Sequence, residues 1–391
     1  MDRQIFYRLK PLFEARFGSE PEYKFFANGR LEILGNHTDH QKGRCIVAGC
    51  SLGIHALVSK ADDIFIESVG FGLIHATLSG LEPNPDEYGT SESLVKGVLR
   101  GFLDRNYEIG GFHAVIDSTI FPGAGISSSA AYELLIAEIL NVLYNDGAVP
   151  KTAKAEIGKF AENIFFGKGS GLLDQMGASY GGLLLVDFAE NPPLAEPLEF
   201  PEEWNLHIVL VDPGMSHIGL SDLYGEMPRD MYDIAALFGK QVLSEVRRPE
   251  FDAEMARLGD RVMERKKLRA VHYFDEIDRV NRMVEAIKTK NRAWFLELER
   301  EGQLSQTYLL KNAMLPGHYE QSPLQAVDRA REVLRVGASR VMGGGLAGTT
   351  INFVPHEEFR LFMETMKRYY GEKHVVEVLI PHEGAHAVYD D

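Results

Sequence analysis

A run rich in glycine and serine, Phe121-Pro-Gly-Ala-Gly-Ile-Ser-Ser-Ser-Ala130, lies between a predicted strand and a predicted helix. The strand signal covers His113 to Asp117, and apolar residues recur on one helical face from Ser127 to Tyr144. Gly123 and Gly125 permit a tight turn in which successive backbone N–H groups point to one side, and the start of the helix adds its positive dipole. The run therefore predicts a cradle for a polyphosphate that contains no lysine.

This loop differs from two common phosphate-binding motifs. A Walker A loop requires GxxxxGK[ST], and the Gly-Lys-Gly-Ser run that starts at Gly167 has Glu162 where the first glycine would stand. A Rossmann loop requires a third glycine, and Ser128 occupies that position. From its residues alone, the run is equally compatible with an ordinary glycine-rich turn whose serines cap a helix. A second glycine cluster, Met342 to Gly348, indicates a close approach of the backbone to a ligand or to another loop.

The length predicts more than one domain. The chain has 391 residues, which is longer than one hydrophobic core usually serves. Proline and glutamate accumulate between Asn191 and Trp204, which indicates a linker. The predicted division is therefore into residues 1–199 and residues 200–391.

Composition excludes several classes of partner. Acidic residues outnumber basic residues by 57 to 41, and the net charge of −16 argues against binding to nucleic acid. No apolar run approaches the roughly 18 residues of a membrane span, so no membrane partner is expected. The only cysteines, Cys45 and Cys50, indicate a reducing compartment, and we expect a cytoplasmic protein.

Strand and helix signals are mixed in the first half of the chain. Apolar residues at helical spacing predict an amphipathic helix over Met1 to Phe17, and a buried strand is predicted over Cys45 to Val58. Two short strands, Ile64 to Val69 and Leu73 to Leu78, flank a Gly-Phe-Gly turn and predict a hairpin. In the second half, the charged stretch from Asp230 to Arg300 is predicted to be helical and is expected to form a solvated scaffold.

Four separated segments resemble the GHMP small-molecule kinases, and the galactokinase branch in particular. Gly29 to Asp39 (GRLEILGNHTD) is similar to the galactokinase signature GRVNLIGEHTDY. Phe121 to Ser129 is similar to the ATP loop PLGAGLSSS, and Ala161 to Gln175 is similar to AENxFVGxxCGIMDQ. Val341 to Thr350 is similar to the third motif, MTGGGFGGCT. The four segments follow in the family's order over nearly the whole chain, which makes the resemblance specific.

The resemblance implies a fold and an activity. The fold would be the two-domain α+β GHMP kinase fold, with an N-terminal ribosomal-protein-S5-like domain and a C-terminal ferredoxin-like αβ sandwich. The active site would lie in the cleft between the domains. The activity would be transfer of a phosphoryl group from ATP to the anomeric C1 hydroxyl of galactose, giving galactose 1-phosphate and ADP. The implied partners are therefore a small-molecule sugar and ATP, and the sequence is compatible with a monomer without fixing the oligomeric state.

The resemblance also implies a role for each matching residue. Asp174 takes the position of the catalytic aspartate beside the sugar C1 hydroxyl, and Arg30 takes that of the catalytic arginine. Ser129 and Glu162 take the positions of the Mg²⁺ ligands. The implied sugar contacts are Asn36, His37, Asp39, Gly171 and Tyr224. The implied ATP loop consists of Gly123, Ala124, Gly125, Ile126, Ser127, Ser128 and Ser129.

These residue types suit phosphoryl transfer, which depends mainly on positioning and on electrostatic stabilisation. A carboxylate accepts or orients the hydroxyl proton, and a guanidinium stays charged beside both carboxylate and phosphate oxygens. Mg²⁺ prefers hard oxygen ligands such as one hydroxyl and one carboxylate. Without the resemblance, Asp174 would be read as a turn cap and Arg30 as a surface ion-pair residue. His37 and His40 have no third ligand at a useful spacing, which argues against zinc.

Because the chain departs from the signature, the identity of the sugar substrate stays open. Asn36 replaces a glutamate that meets the C6 end of the sugar in the family, and Glu32 replaces an asparagine. The segment GNHTDHQ is similar to galacturonokinases, and Lys168 would supply positive charge for a carboxylate at C6. The alternative substrate is therefore galacturonate or another C6-modified hexose. A non-catalytic sensor of sugar and ATP is a third reading, against which the intact Arg30, Asp174 and serine run argue.

Overall fold

A computed structural model of the chain describes residues 3–121, 124–215 and 219–389. Its α-helices are α1 (Gln4–Phe17), α2 (Ser91–Leu103), α3 (Ser128–Tyr144), α4 (Lys151–Phe160), α5 (Leu173–Tyr180), α6 (Ser221–Leu237), α7 (Arg248–Leu258), α8 (Glu264–Lys288), α9 (Arg292–Ser305), α10 (Pro323–Arg331) and α11 (His356–Tyr370). Its strands are β1 (Tyr23–Leu34), β2 (Arg44–Ala61), β3 (Ile64–Ser68), β4 (Gly72–Ala76), β5 (Gly111–Ser118), β6 (Leu183–Asp187), β7 (Leu194–Leu198), β8 (Leu206–Val211), β9 (Ala338–Val341), β10 (Thr350–Pro355), β11 (Val375–Val378) and β12 (His386–Ala387). Two five-residue π-helical segments, Ala161–Phe165 and Gln306–Leu310, follow α4 and α9.

The first sheet is built on the long strand β2. The strand order is β12-β1-β2-β5-β3-β4, and β6 also pairs with β2 and carries β7 on its other edge. One half of β2, Arg44 to Ala48, pairs with β6, whereas the other half, Ile54 to Ala61, pairs with β5. All pairs are antiparallel except β3–β5. Because β2 changes partner along its length, one strand links the two parts of this sheet.

The second sheet is antiparallel, in the order β11-β8-β10-β9. Side chains of β8 alternate between its faces: Ile208 and Leu210 pack in the cluster of α8 and α9, whereas Val209 and Val211 pack against α10 and α11. The first of these clusters also contains Leu31 of β1 and other residues of the first sheet. The two sheets are therefore joined through one shared hydrophobic core.

Most predicted elements are confirmed. The N-terminal helix is α1, the strand predicted over Cys45 to Val58 is β2, and the hairpin is β3–β4. The segment predicted as a linker contains β7, whose Pro197 is tolerated because β7 pairs with β6 alone. The pairing of β12 with β1 returns the end of the chain to the first sheet. The division into residues 1–199 and 200–391 stays a prediction. In the part of the chain that the model describes, helices are too short or too polar to span a bilayer.

The expectation that the charged helical region is only a solvated scaffold is wrong. Arg269, His272 and Glu276 of α8 are buried, and so are Glu299 and Gln303 of α9. Polar residues at helical spacing give the same pattern whether the face they share meets water or other polar groups. Packing against the first sheet decided that this polar face meets other polar groups and not water.

Arg340 of β9 ties three elements together. Its Nε donates to Oε2 of Glu299 at 2.9 Å, and its Nη1 donates to Oε1 of Glu32 at 3.0 Å. Its Nη2 donates to the carbonyl oxygens of Glu32 and Ile33 at 2.7 Å each. Burial lowers the pKa of Arg340, but the two carboxylates outweigh that effect and raise the pKa above its ordinary value. The guanidinium therefore stays charged and holds β9 and α9 against β1.

Replacement of Arg340 by methionine should lower the free energy of unfolding by about 3–5 kcal/mol, because it leaves two buried carboxylates without their cation. The measurement is urea denaturation followed by tryptophan fluorescence. The matched control is Arg360→Met, since Arg360 is 91% exposed and pairs only with Glu364 on the surface of α11. That change should alter the stability by less than about 0.5 kcal/mol. Equal midpoints for the two variants would show that the buried network contributes nothing to stability.

Candidate active site

A cleft of about 2460 Å³ opens between the first sheet, the serine-rich loop and the second glycine cluster. One small-molecule pocket usually occupies roughly 300–1,000 Å³, so this cleft has room for two substrates side by side. Its lining includes Arg30, Asn36, Ser127, Ser129, Asp174 and Gly343.

The serine-rich loop is fixed to β1 by its backbone. The backbone N–H of Arg30 donates to the carbonyl oxygen of Ile126 at 2.9 Å. A Cβ atom on Gly29 would lie 2.7 Å from the same oxygen, so only glycine permits this approach. Ser127 has a φ of 59°, which turns the chain into α3, and Ser128 begins that helix. Of the predicted ATP loop, Ala124 to Ser129 lie at the cleft, and Gly123 falls outside the described residues.

Arg30 and Asp174 are in direct contact. The Nε of Arg30 donates to Oδ1 of Asp174 at 2.7 Å, and its Nη1 donates to the carbonyl oxygen of Gly125 at 2.5 Å. The Ser127 hydroxyl donates to Oδ2 of Asp174. The side chain of Arg30 is 6% exposed and that of Asp174 is 23% exposed. The structure therefore brings the two predicted catalytic side chains together beside the loop, although they are 144 residues apart in the sequence.

The surroundings keep both groups charged. Burial raises the pKa of Asp174, but the charge of Arg30, the hydrogen bond from Ser127 and the charge of Lys168 outweigh it and hold the pKa below its ordinary value. Burial lowers the pKa of Arg30, and Asp174 and Glu32 more than offset this effect. At neutral pH the site therefore holds a fixed carboxylate and a fixed guanidinium.

Glu162 lies beside Ser129 on the other side of the loop. The Ser129 hydroxyl donates to Oε1 of Glu162 at 2.8 Å, and Lys168 Nζ donates to the same oxygen at 2.7 Å. The second oxygen, Oε2, accepts from the Ser170 hydroxyl at 2.5 Å and from Gln175 Nε2 at 3.0 Å. Glu162 belongs to the π-helical segment that ends α4, a local widening that is frequent at functional sites. Its carboxylate is thereby fixed, with Oε1 next to the serine loop.

Asn36 is saturated by hydrogen bonds within the protein. Its Nδ2 donates to Oε1 of Glu32 at 2.9 Å and to the carbonyl oxygen of Gly343 at 2.6 Å. Its Oδ1 accepts from Nδ2 of Asn312 at 2.9 Å. Asn36 therefore joins the signature segment to the second glycine cluster, and its amide hydrogens are already used.

The contact between Asn36 and Glu32 explains both departures from the galactokinase signature. The signature has asparagine at position 32 and glutamate at position 36, and this chain has the two residue types exchanged. In this chain the amide of Asn36 donates to the carboxylate of Glu32 across the four-residue interval. The carboxylate at position 32 also pairs with Arg340 at 3.0 Å.

The second glycine cluster contacts two further predicted sugar-binding residues, His37 and Tyr224. Nε2 of His37 lies 3.2 Å from the carbonyl oxygen of Gly344. The Tyr224 hydroxyl donates to the carbonyl oxygen of Gly345 at 2.9 Å, and burial raises the pKa of Tyr224 to about 12. A Cβ atom on Gly344 would lie 2.8 Å from the Tyr224 ring. Only glycine therefore lets this backbone lie against the Tyr224 ring.

Gly171 lies directly against Asp39. A Cβ atom at position 171 would be 1.6 Å from Oδ2 of Asp39, so no larger residue fits without moving that carboxylate. Burial raises the pKa of Asp39, and the nearby His37 opposes this effect. Asp39 is partly exposed to the cleft, as expected of a side chain that receives a ligand.

A second layer of polar residues lies on α8, and no sequence motif predicted it. Oε1 of Glu276 accepts from the backbone N–H groups of Gly35 at 2.9 Å and of Asn36 at 3.3 Å. Nε2 of His272 lies 2.9 Å from the carbonyl oxygen of Asn36. Burial raises the pKa of Glu276, but Arg279 and His272 outweigh it, so the carboxylate stays charged. The only signal was helical spacing between polar residues, which an exposed helix face shows as well.

Family models match both halves of this site. The galactokinase galactose-binding signature matches residues 11–60, and the GHMP kinases N terminal domain matches residues 93–182. The first match contains Arg30, and the second contains the serine loop, Glu162 and Asp174.

Similar proteins and structures agree with these matches. Galactokinases of Clostridium perfringens (strain 13) and Staphylococcus carnosus are each 28% identical to this chain, over 93% of the chain and 94% of each protein. The crystal structure of Lactococcus lactis galactokinase complexed with galactose is similar with a TM-score of 0.84 and 24% identity, covering 98% of this chain and 99% of that one. The Methanococcus jannaschii mevalonate kinase structure has a TM-score of 0.66 and 15% identity, covering 92% of this chain and 99% of that one.

The chain therefore carries a GHMP kinases N terminal domain and a galactokinase galactose-binding signature, and the α+β fold predicted from the sequence is confirmed. Together with the curated galactokinases to which the chain is similar, these matches indicate a sugar kinase.

Replacement of Gly171 by alanine should reduce kcat/KM for sugar phosphorylation by about 100-fold, because the new methyl group displaces Asp39 by about 1 Å or more. The measurement is hexose-dependent release of ADP. Gly169→Ala is the matched control, since a Cβ atom there meets no atom within 4 Å. If both variants keep the activity of the wild-type protein, the tight contact between Gly171 and Asp39 has no functional role.

Proposed function

We propose that this chain phosphorylates galactose at the anomeric C1 hydroxyl with ATP, giving galactose 1-phosphate and ADP. The observation that carries the proposal is the 2.7 Å contact between Arg30 and Asp174 beside the serine-rich loop. The names of the curated relatives support galactose as the sugar, as does the galactose bound in the similar Lactococcus structure.

Asp174 is proposed to receive the sugar hydroxyl. Each of its oxygens already accepts one hydrogen bond, from Arg30 or from Ser127, and retains a free lone pair. The C1 hydroxyl donates to one of these lone pairs, which directs its oxygen toward the γ-phosphorus. As the new O–P bond forms, the bond from the γ-phosphorus to the β–γ bridging oxygen breaks and its electrons leave with ADP. The hydroxyl proton passes to Asp174 and then to water.

Arg30 and the loop are proposed to hold the phosphates. The backbone of Ala124 to Ser129 curves at the start of α3, where N–H groups and the helix dipole favour anions. Arg30 is anchored at two points, to Asp174 and to the carbonyl oxygen of Gly125. Its remaining N–H donors stabilise negative charge on the transferring group without loss of its own proton.

Ser129 and Glu162 are proposed to hold Mg²⁺. Ser129 Oγ and Glu162 Oε1 lie 2.8 Å apart, close to the spacing of about 3 Å between neighbouring ligands in an octahedron with bonds of about 2.1 Å. Both are hard oxygen donors at the edge of the phosphate loop, so the residues present fit the ion. When bound, Mg²⁺ neutralises charge on the β- and γ-phosphate oxygens.

Galactose is favoured over galacturonate by the position of Lys168. Lys168 is the cation suggested for a C6 carboxylate, but its Nζ is bound to Glu162 near the phosphate loop. Around Asn36, the nearest charged groups are the carboxylates of Glu32 and Glu276, each balanced by its own arginine. A substrate carboxylate there would meet like charge without a free cation among the contacts of Asn36. The sensor alternative is disfavoured because Arg30 and Asp174 are in contact.

We also propose that the protein works in the cytoplasm. Cys45 and Cys50 are buried free thiols, and burial raises the pKa of Cys50 to about 12. Neither thiol is poised for disulfide formation, which suits a reducing compartment.

Asp174→Asn should lower kcat for galactose by about 10²–10⁴-fold while the dissociation constant of ATP changes little, because the amide cannot accept the hydroxyl proton. The measurements are coupled ADP release and calorimetric titration with ATP. Asp187→Asn is the control, since Asp187 forms a comparable ion pair, to Arg44 at 2.8 Å, away from the cleft lining. Near-normal turnover by Asp174→Asn would remove Asp174 from the mechanism.

A substrate panel tests the choice of sugar. With Mg·ATP at saturation, galactose should give the highest kcat/KM among galactose, glucose and galacturonate, because Lys168 lies beside Glu162 at the phosphate end of the cleft and not among the contacts of Asn36. The measurement is ADP release at equal sugar concentrations, with the product identified by phosphorus NMR. Turnover of galacturonate alone would replace galactose as the proposed substrate.

A further inference from the structure

Lys168 donates a hydrogen bond to the Glu162 oxygen that the proposed metal site would use. Its Nζ lies 2.7 Å from Oε1 of Glu162, and that oxygen also accepts from Ser129 at 2.8 Å. The other oxygen, Oε2, is held by Ser170 and Gln175. The ammonium and a divalent cation bound by Ser129 and Glu162 would therefore compete for the same atom.

The backbone around Lys168 is anchored, whereas its side chain is about half exposed. The backbone N–H of Lys168 donates to the carbonyl oxygen of Glu162 at 3.1 Å, and that of Ser170 donates to Oδ1 of Asn163 at 2.9 Å. Gly167, with a φ of 80°, packs on the ring of Tyr88. The Lys168 side chain is nevertheless 54% exposed, and its ammonium group is bound to Glu162. An anchored backbone and a half-exposed side chain suit a cation that changes partner.

The charge balance at this end of the cleft requires a cation in the absence of a ligand. Glu162 is 1% exposed and Asp174 is 23% exposed; Arg30 is bound to Asp174 and Lys168 to Glu162. A buried carboxylate without a counter-charge is costly, so Lys168 stabilises Glu162 until another cation replaces it. A displaced ammonium group repels that incoming cation and is attracted to the polyphosphate in the adjacent serine loop.

We propose that Lys168 is a further phosphate-contacting residue, which neutralises Glu162 in the ligand-free protein and moves to the ATP phosphates when a divalent cation binds Ser129 and Glu162. This inference rests on the proposed kinase function and assigns Lys168 to the phosphate end of the cleft instead of the sugar C6 end. Lys168 keeps all its protons during phosphoryl transfer and contributes charge alone. The galactokinase segment AENxFVGxxCGIMDQ leaves this position unspecified, so the motif itself assigns no role to Lys168.

The test uses the full chain with Lys168→Gln, Lys168→Arg and the control Lys373→Gln, which removes one charge from an exposed position outside the cleft lining. Binding of Mn²⁺ without nucleotide is measured by electron paramagnetic resonance. Binding of ATP at a Mn²⁺ concentration that saturates the protein is measured by calorimetry. Thermal unfolding of each variant checks that it is folded.

The two affinities should change in opposite directions. Loss of the competing ammonium group should tighten Mn²⁺ binding by Lys168→Gln about tenfold, and loss of a phosphate contact should weaken its ATP binding about tenfold. Lys168→Arg should keep the ATP affinity of the wild-type protein, and Lys373→Gln should change neither affinity. If both affinities of Lys168→Gln are unchanged, or if both weaken, Lys168 is only a structural ion-pair residue and the proposal is overturned.

The same experiment separates this inference from the sugar assignment. Turnover of galactose by the wild-type protein tests the proposed function, whereas the opposite shifts in Mn²⁺ and ATP affinity test Lys168 without any sugar. The two affinities could shift in opposite directions in a protein that does not phosphorylate galactose. Lys168 would then stay assigned to the nucleotide site, and only the assignment of the sugar would be wrong.

Discussion

The contact between Arg30 and Asp174 organises the site. Removing both charges from water is costly, and only the close pairing at 2.7 Å, with Ser127 and the Gly125 carbonyl as further partners, offsets that cost. Because Arg30 is on β1 and Asp174 is on α5, the pair also fixes the serine loop between them. The nucleotide and the sugar would thus bind beside a pair of charges that is already oriented. Phosphoryl transfer depends mainly on such positioning and electrostatic stabilisation.

The second half of the chain supports the first at a distance from the reacting groups. Arg340 binds the backbone and side chain of Glu32, and Glu276 binds the backbone of the signature segment. Asn36 completes this link by donating to the Gly343 carbonyl. The signature segment is therefore held from β9, from α8 and from the second glycine cluster. Buried polar groups that are paired in this way rigidify a site, since displacement would break their hydrogen bonds.

The main site residues were predictable from the sequence, whereas the residues that hold the site in place were not. Three of the four motifs located Arg30, Asp174, Ser129 and Glu162, and the structure brings these residues together in two contacting pairs. The role of Asn36 was harder to predict, because a polar side chain in a binding motif is equally suited to a ligand and to a neighbour. The exchange between positions 32 and 36 has meaning only once the hydrogen bond between them is known. His272 and Glu276 had no motif at all.

The sequence by itself determined the local pieces: a glycine-permitted turn before α3, a strand long enough to join two parts of a sheet, and the family to which the motifs belong. These features depend on residues close together in the chain. Tertiary structure alone decided which charges face one another, that Lys168 binds Glu162, and that α8 carries buried ions instead of a solvated face. Such pairings depend on burial and on contacts between distant segments, and helical spacing is the same for a buried polar face and an exposed one.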